Sequence, residues 1–152
     1  MNLTQILQPG CIKIPLEGKD KQAVITELVD LLDANHLVTD KNAALEAVMQ
    51  RETTRSTGIG SGIAIPHGKC TAVKELVMSL GVTKQPIDFE SIDGKPVRIV
   101  LLLVSPLNQT GPHIQALAKI SRLMLDDVFK VKLEKCTSAA QAYDLISKKE
   151  SQ

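Results

Sequence analysis

The 152-residue sequence predicts one α/β domain, 1–152, in which helices pack on a small mixed sheet. The clearest sign is the apolar run from Ile99 to Val104, which is typical of a strand buried on both faces. A second sign is an apolar stripe at helical spacing within residues 20–34. Helical and strand-like segments follow one another along the chain, so we expect both kinds of element around a single core.

Two helices are predicted in the first third of the chain. The first spans 20–34, and its apolar stripe consists of Val24, Ile25, Leu28, Leu31 and Leu32. The second spans about 40–52, with Thr39 or Asp40 as its cap. This second helix places Arg51 at its carboxyl end.

Three strands are predicted in the middle of the chain. They run from Ile63 to Ile65, from Leu76 to Thr83 and from Pro96 to Val104. Between the last two strands stands Asp93-Gly94, a dipeptide that favours a hairpin-type connection.

Helices are predicted again in the last third. Pro112 suits the first position of a helix, with Thr110 or Gly111 as the cap. Apolar and small residues then continue at helical spacing: Ile114, Leu117, Ile120, Ser121 and Met124. A short helix is predicted around 128–135, and the capping-box pattern at Ser138 predicts a final one.

The composition excludes several classes of function. The net charge is +1 and only three residues are aromatic, so the chain lacks both the basic surface and the stacking platforms of nucleic-acid binders. The longest apolar run is too short to cross a bilayer, and the N-terminal residues do not resemble a secretory signal. Three separated cysteines indicate a reducing compartment. We therefore expect a cytoplasmic protein with no membrane insertion and no nucleic-acid partner.

The glycine-rich stretch STGIGSGIAIPHGKC, residues 56–70, fits no common phosphate-binding loop. Gly58, Gly60 and Gly62 fall at every second position and follow a helix, unlike a dinucleotide fingerprint. A P-loop would need a Ser or Thr in place of Cys70 and different glycine spacing. On spacing alone, a tight turn explains these glycines equally well.

His67 is the histidine whose context most favours chemistry. Pro66 before it restricts the backbone, and Gly68 after it removes a side chain that could crowd a partner. An imidazole has an ordinary pKa of about 6.5, so a rigid, exposed one is largely neutral near pH 7 and can act as a nucleophile. From residue types alone, a structural role for His67 is supported equally well.

The other two histidines leave more alternatives. His113 is predicted in the first turn of a helix, where free amides can bind an anion and the helix dipole keeps an imidazole neutral. A capping or surface role is the alternative for His113. His36 is expected on the surface without a function. A zinc site made of His67, His113 and Cys70 is the rival hypothesis, although no second ligand pair stands at zinc spacing.

Four segments together carry a resemblance to a known family: Arg51-Glu52, residues 56–60 (STGIG), residues 62–69 (GIAIPHGK) and His113. They resemble the enzyme IIA domain of the fructose/mannitol class in the bacterial phosphoenolpyruvate-dependent phosphotransferase system. The resemblance runs nearly end to end, and the STGIG segment is most similar to the nitrogen regulatory branch. It implies a mixed parallel/antiparallel sheet of about five strands flanked by helices.

The resemblance also implies roles for individual residues. His67 would be the phosphorylated nucleophile, Arg51 would balance the phosphoryl charge, and His113 would be a second active-site histidine. Contacts to the phosphoryl group or to a partner are expected from Ser56, Thr57, Gly58, Ile59 and Gly68. We further expect the site to lie on an open, shallow, apolar face that includes Ile59 or Ile63. No cofactor and no metal are implied.

The implied donor is a small histidine phosphocarrier protein. The phosphoryl group would then act on a downstream regulatory target or pass to a IIB protein. Two alternatives stay open: a sugar-specific IIA component that feeds a separate IIB, and a non-enzymatic module that binds a metal or a small anion. Because no IIB or membrane IIC segment is found among the 152 residues, we expect the regulator.

Overall fold

Six strands form one mixed sheet in the computed structural model, which describes residues 1–152. They are β1 (Leu7–Leu16), β2 (Gly58–Gly60), β3 (Ile63–Ala64), β4 (His67–Lys69), β5 (Val77–Ile87) and β6 (Val97–Ser105). The order is β1-β5-β6-β3-β2, and β4 also pairs with β6. Since β3 and β4 lie end to end along one side of β6, the six strands occupy five positions.

The sheet contains both strand directions, which confirms the expected mixed α/β architecture. β5 is antiparallel to β6 and parallel to β1, whereas β3 and β4 are parallel to β6. The Asp93-Gly94 pair lies in the antiparallel connection between β5 and β6, and Gly94 has a φ of +72°. A positive φ is easily adopted only by glycine, which explains that residue type in the turn.

Five helices flank the sheet. They are α1 (Lys21–Ala34), α2 (Lys41–Thr54), α3 (Thr110–Leu123), α4 (Asp127–Glu134) and α5 (Ala139–Glu150), and a short 3₁₀ turn covers Leu3–Gln5. At four of the five helices a side-chain oxygen accepts from the amide three residues ahead, and these caps are Asp20, Asp40, Asp126 and Ser138. Asp40 rather than Thr39 therefore caps α2, because its carboxylate satisfies an otherwise unpaired amide.

The core is centred on β6, whose apolar residues from Ile99 to Val104 are fully buried. Leu101 lies opposite Leu80 of β5, and Ile99 lies opposite Ile63 of β3. Full burial of one such aliphatic side chain contributes about 1.5–3 kcal/mol. β6 is therefore a rigid support for β3 and β4, which pair with it. No helix is long and apolar enough to span a bilayer.

Three of the six strands, β1, β2 and β4, and the end of β5 were not predicted from the residues. β1 received no strand prediction, because Pro9 and Gly10 interrupt its apolar pattern, yet it pairs with β5. β5 itself continues to Ile87, beyond the predicted end at Thr83, and this extension contains three exposed residues, Lys84, Gln85 and Pro86.

The beginning of α3 differs from the prediction. The helix starts at Thr110 with Gln109 as N-cap, so Pro112 is its third residue and not its first. The buried face consists of His113, Ala116, Ile120 and Leu123. Ile114, expected in the apolar stripe, is 59% exposed. The inward stripe thus begins one residue earlier than predicted, and this places a histidine inside.

Candidate functional site

His67 lies at an interruption of the sheet edge between β3 and β4. The amide of Ile65 donates to the carbonyl of Thr57 at 3.0 Å, and the carbonyl of Pro66 accepts from the amide of Leu103 at 3.0 Å. β4 then begins with His67 opposite Leu103. Pro66 has no amide to donate, so it suits a place where strand pairing is interrupted. His67 is therefore held by the sheet itself.

One hydrogen bond determines which nitrogen of His67 is free. Nδ1 lies 2.8 Å from the carbonyl oxygen of Ile65. A carbonyl can only accept, so Nδ1 carries the hydrogen and Nε2 keeps its lone pair. Burial lowers the pKa of His67, the Ile65 carbonyl opposes this shift, and the charge of Arg51 adds to the lowering. The ring is thus neutral near pH 7 and nucleophilic at Nε2.

His113 is the histidine that lies beside His67 in the structure. Its ring centroid lies 5.3 Å from that of His67, at an interplanar angle of 64°. His113 is 4% exposed, and its Nδ1 lies 2.6 Å from Oγ of Ser105. It is therefore neither a surface nor a capping residue.

The neutrality expected for His113 holds, but its cause differs. The pKa of His113 is lowered to about 4, mainly by burial and then by the charges of His67 and Lys69. The amide of His113 already donates to the carbonyl of Gln109 at 3.1 Å, so it is not free to bind an anion. Desolvation rather than the end of the helix keeps the ring uncharged.

Arg51 reaches the site from the last turn of α2. Its Nη1 donates to the carbonyl of Arg55 at 2.9 Å, which holds the guanidinium at the end of the helix. A guanidinium has five N–H donors, so the others stay available to a ligand. Arg51 lines the same surface as His67.

Two shallow clefts of about 360 and 340 Å³ meet at His67. Arg51, His67 and Leu117 line both of them. The first cleft adds Ile59 and Ile92, which are 45% and 63% exposed. This is the open, partly apolar face that the sequence predicted around the imidazole. A larger cleft of about 660 Å³ lies elsewhere and contains neither histidine.

Lys69 is a cation of the second cleft to which the sequence assigned no role. It lines that cleft together with His67 and His113. Its Nζ donates to Oγ1 of Thr110 at 3.0 Å, which ties β4 to the start of α3. Its position two residues after His67 on one strand is the signal that could have indicated it, since alternate strand residues share a face.

Ser56, Thr57 and Gly58 shape the adjoining loop and are not free to bind a phosphoryl group with their side chains. Oγ of Ser56 donates to the carbonyl of Phe89 at 2.6 Å and accepts from the amide of Gly58 at 3.1 Å. The buried hydroxyl of Thr57 donates to Glu52 at 2.5 Å. A methyl group on Gly58 would overlap the side chain of Ser91. Ser56 and Thr57 line the first cleft, and contacts from these three residues to a phosphoryl group or a partner stay a prediction.

Glu52 organises this loop from within the core. It is 5% exposed and accepts from the amide and the hydroxyl of Thr57 and from Nζ of Lys21, the last at 2.8 Å. The carbonyl of Thr57 in turn accepts from the amide of Ile65. The carbonyl of Ile65 then accepts from Nδ1 of His67. The sequence does contain a signal for this burial, because Glu52 continues the i, i+4 spacing of Ala44 and Val48.

Gly68 and Ile63 also differ from their expected roles. A methyl group on Gly68 would lie 3.0 Å from backbone atoms of Ala47 and Val48. The missing side chain therefore makes room for α2, and Gly68 also lines the second cleft. Ile63 is buried in the sheet, so of the two isoleucines proposed for the exposed face only Ile59 lies there.

The structure gives the zinc hypothesis no ligand set. No three His, Cys, Asp or Glu side chains come together in a way that could hold a metal ion. His36 lies exposed at the end of α1, as expected, with a φ of +59°. The two histidines near each other are His67 and His113, and the groups around them are cations and donors suited to an anion.

The chain is similar to known proteins along nearly its whole length. Residues 5–149 match the family model described as "Phosphoenolpyruvate-dependent sugar phosphotransferase system, EIIA 2". The chain is 35% identical over 147 residues to a fructose-specific EIIABC component from Bacillus subtilis, covering 97% of this chain but 23% of that protein. It is 33% identical over 147 residues to a nitrogen regulatory protein from Bradyrhizobium diazoefficiens, covering 97% and 95% of the two chains.

A solved structure shows the same fold. It is the nitrogen regulatory protein IIA-Ntr from Neisseria meningitidis, with a TM-score of 0.88 and 29% sequence identity. The similarity covers 95% of this chain and 98% of that one.

Proposed function

The chain belongs to the EIIA 2 family of the phosphoenolpyruvate-dependent sugar phosphotransferase system, and from that premise we propose that it carries a phosphoryl group on Nε2 of His67. The observation that supports this most directly is the bond between Nδ1 of His67 and the carbonyl of Ile65. It leaves a neutral nucleophilic nitrogen where two open clefts meet.

The donor is a phosphohistidine of a small histidine phosphocarrier protein. The lone pair on Nε2 of His67 attacks phosphorus, and the bond between phosphorus and the donor nitrogen breaks with its electron pair staying on the donor ring. The hydrogen on Nδ1 of His67 does not leave, and it keeps donating to Ile65. The carbonyl of Ile65 therefore stabilises the positive charge that the ring gains as the new bond forms.

Cationic and hydrogen-bonding groups around His67 balance the incoming charge. A phosphoryl group brings about −1.5 to −2 charges near pH 7. Phosphoryl transfer passes through a loose transition state, so a protein contributes mainly position and charge. Arg51 offers a planar pair of donors, Lys69 adds a second cation, and His113 adds an uncharged ring at the cleft wall.

We place the chain as a nitrogen-type regulator whose phosphorylation is sensed by a downstream protein. This placement is supported by similarity to a nitrogen regulatory protein along 95% of that protein's length. The alternative is a sugar-specific component that passes the group to a separate IIB. It is supported by the fructose-specific relative, of which the chain spans 23%.

The proposal is tested by incubating the chain with phosphoenolpyruvate, enzyme I and a histidine phosphocarrier protein, then mapping the acid-labile label. His67→Ala should abolish labelling. The control His36→Ala removes an exposed imidazole far from the clefts and should be labelled normally. A label on any residue other than His67 would refute the proposal.

A growth experiment distinguishes the two placements. Deletion of the gene should leave growth on fructose and mannitol intact if the chain is a regulator. Loss of growth on either sugar would instead support the sugar-specific component.

A further inference from the structure

We infer that Ser105 is a positioning residue that fixes His113 in the tautomer with hydrogen on Nε2, so that His113 donates an uncharged hydrogen bond into the cleft. The meaning of this bond for phosphoryl transfer rests on the proposed function. The tautomer itself is a property of the folded chain and can be measured without any transfer.

The first step is the place of Ser105 in the sheet. It is the last residue of β6 and is 0% exposed. In the register of the sheet it lies opposite Lys69, and Leu103, two residues earlier, lies opposite His67. Alternate residues of a strand point to one face, so Ser105 belongs to the same face of β6 as the partner of His67. The fully buried strand therefore holds its hydroxyl at a fixed place beside the site.

The second step is the direction of the hydrogen bond. Oγ of Ser105 lies 2.6 Å from Nδ1 of His113, and this ring nitrogen is its only hydrogen-bond partner. If Nδ1 carried the hydrogen, the hydroxyl would accept and its own hydrogen would be buried without an acceptor. Such an unsatisfied group costs about 1–3 kcal/mol. The hydroxyl therefore donates, Nδ1 accepts, and the hydrogen of the neutral ring lies on Nε2.

The third step concerns the ring nitrogen of His113 that is left for a ligand in the cleft. His113 lines the cleft that also contains His67, Arg51 and Lys69. With Nδ1 engaged inside the core, Nε2 is the ring nitrogen left for a ligand in that cleft. A lone pair at this position would repel anionic phosphoryl oxygens, whereas an N–H attracts them.

The two histidines therefore hold opposite tautomers. A carbonyl, which can only accept, leaves a lone pair on Nε2 of His67. A hydroxyl with no other partner leaves a hydrogen on Nε2 of His113. One ring is prepared to attack phosphorus and its neighbour to donate to the oxygens around it. If a hydroxyl replaced the carbonyl beside His67, or a carbonyl replaced the hydroxyl beside His113, both rings would hold the same tautomer.

The test combines ring ¹⁵N NMR at neutral pH with transfer rates. In the wild type, long-range ¹H–¹⁵N spectra should show the hydrogen on Nε2 of His113 and on Nδ1 of His67. In Ser105→Ala the His113 signals should move towards a mixture of tautomers. Phosphorylation by the carrier protein should slow about tenfold, by analogy with loss of the outer partner of a functional histidine.

Ser79→Ala is the matched control. Ser79 is also 0% exposed and lies in β5, where its hydroxyl donates to the carbonyl of Leu28 at 3.0 Å, away from both histidines. This variant loses a buried hydroxyl of the same sheet, and it should keep both the wild-type tautomers and the wild-type rate.

Two results would overturn the inference. The first is a wild-type spectrum with the hydrogen on Nδ1 of His113, which decides the matter even if the Ser105→Ala chain does not fold. The second is a folded Ser105→Ala chain with unchanged tautomers and unchanged rate. Neither result affects the proposal for His67, since that proposal depends on where the label is found.

Discussion

Acidification should destabilise the folded chain through His113. The pKa of this ring is about 4 in the folded chain, because burial disfavours its charged form. In the unfolded chain a histidine has a pKa of about 6.5. Below that value the unfolded chain binds a proton that the folded chain excludes, so stability falls as the pH falls. The window for this loss runs from about pH 6.5 down to about pH 4.

The size of the effect follows from these two pKa values. Linkage gives a loss of roughly 2 kcal/mol between neutral pH and pH 5, and about 3 kcal/mol once the pH reaches 4. His67 contributes with the same sign, because burial lowers its pKa too. A variant that removes only His113 is therefore needed to isolate its share.

The assay is urea unfolding at about pH 7.5 and about pH 5, with the free energy of unfolding extrapolated to water. His113→Gln should lose roughly 2 kcal/mol less than the wild type between these two pH values. His36→Gln removes an exposed imidazole and serves as the control, which should lose as much as the wild type. Equal losses in His113→Gln and the wild type would show that burial does not hold this ring uncharged.

Two further substitutions test the groups that surround His67. Arg51→Lys should slow phosphorylation by the carrier about tenfold at an unchanged melting temperature, because lysine keeps the charge but loses the planar donor pair. Equal rates for this variant and the wild type in stopped-flow transfer would show that Arg51 does not act in the site. Arg122→Lys, on the surface of α3, is its control and should transfer normally. Glu52→Ala should lower the free energy of unfolding by about 3–5 kcal/mol, because it leaves buried donors unpaired. The exposed Glu46→Ala on the same helix should change it by less than about 0.5 kcal/mol, and similar values for both glutamates in urea unfolding would contradict the buried network.

Local sequence patterns predicted most of the fold. The apolar run in β6 and the stripe in α1 repeat at the periods of a strand and a helix, so they indicate burial without knowledge of the rest of the chain. Capping residues marked where α2 and α5 begin. β1 escaped prediction because Pro9 and Gly10 interrupt its pattern, and its pairing with β5 is a long-range contact.

The candidate site was predicted by residue type and by resemblance, and its chemistry was not. Pro66-His67-Gly68 stands out in the sequence, and the roles of Arg51 and His113 follow from the family resemblance. The sequence did not show that the hydroxyl of Thr57 donates to Glu52, or that α2 packs so closely on Gly68 that a side chain there would crowd its backbone. A side-chain oxygen or a small residue looks the same in sequence whether a ligand or the protein itself occupies the space beside it.

The sequence by itself therefore determined which residue types are available and which residues of α1 and β6 are buried. Only the tertiary structure decided the protonation of the two rings, since a carbonyl meets His67 and a hydroxyl meets His113. The tautomer of a buried imidazole depends on whether the group within hydrogen-bond distance of its ring nitrogen donates or accepts. In both rings that distance is below 3 Å. For His113 that information arises when β6 and α3 pack together, and for His67 it arises from the local backbone conformation between Ile65 and the ring. No periodicity along the chain encodes either contact.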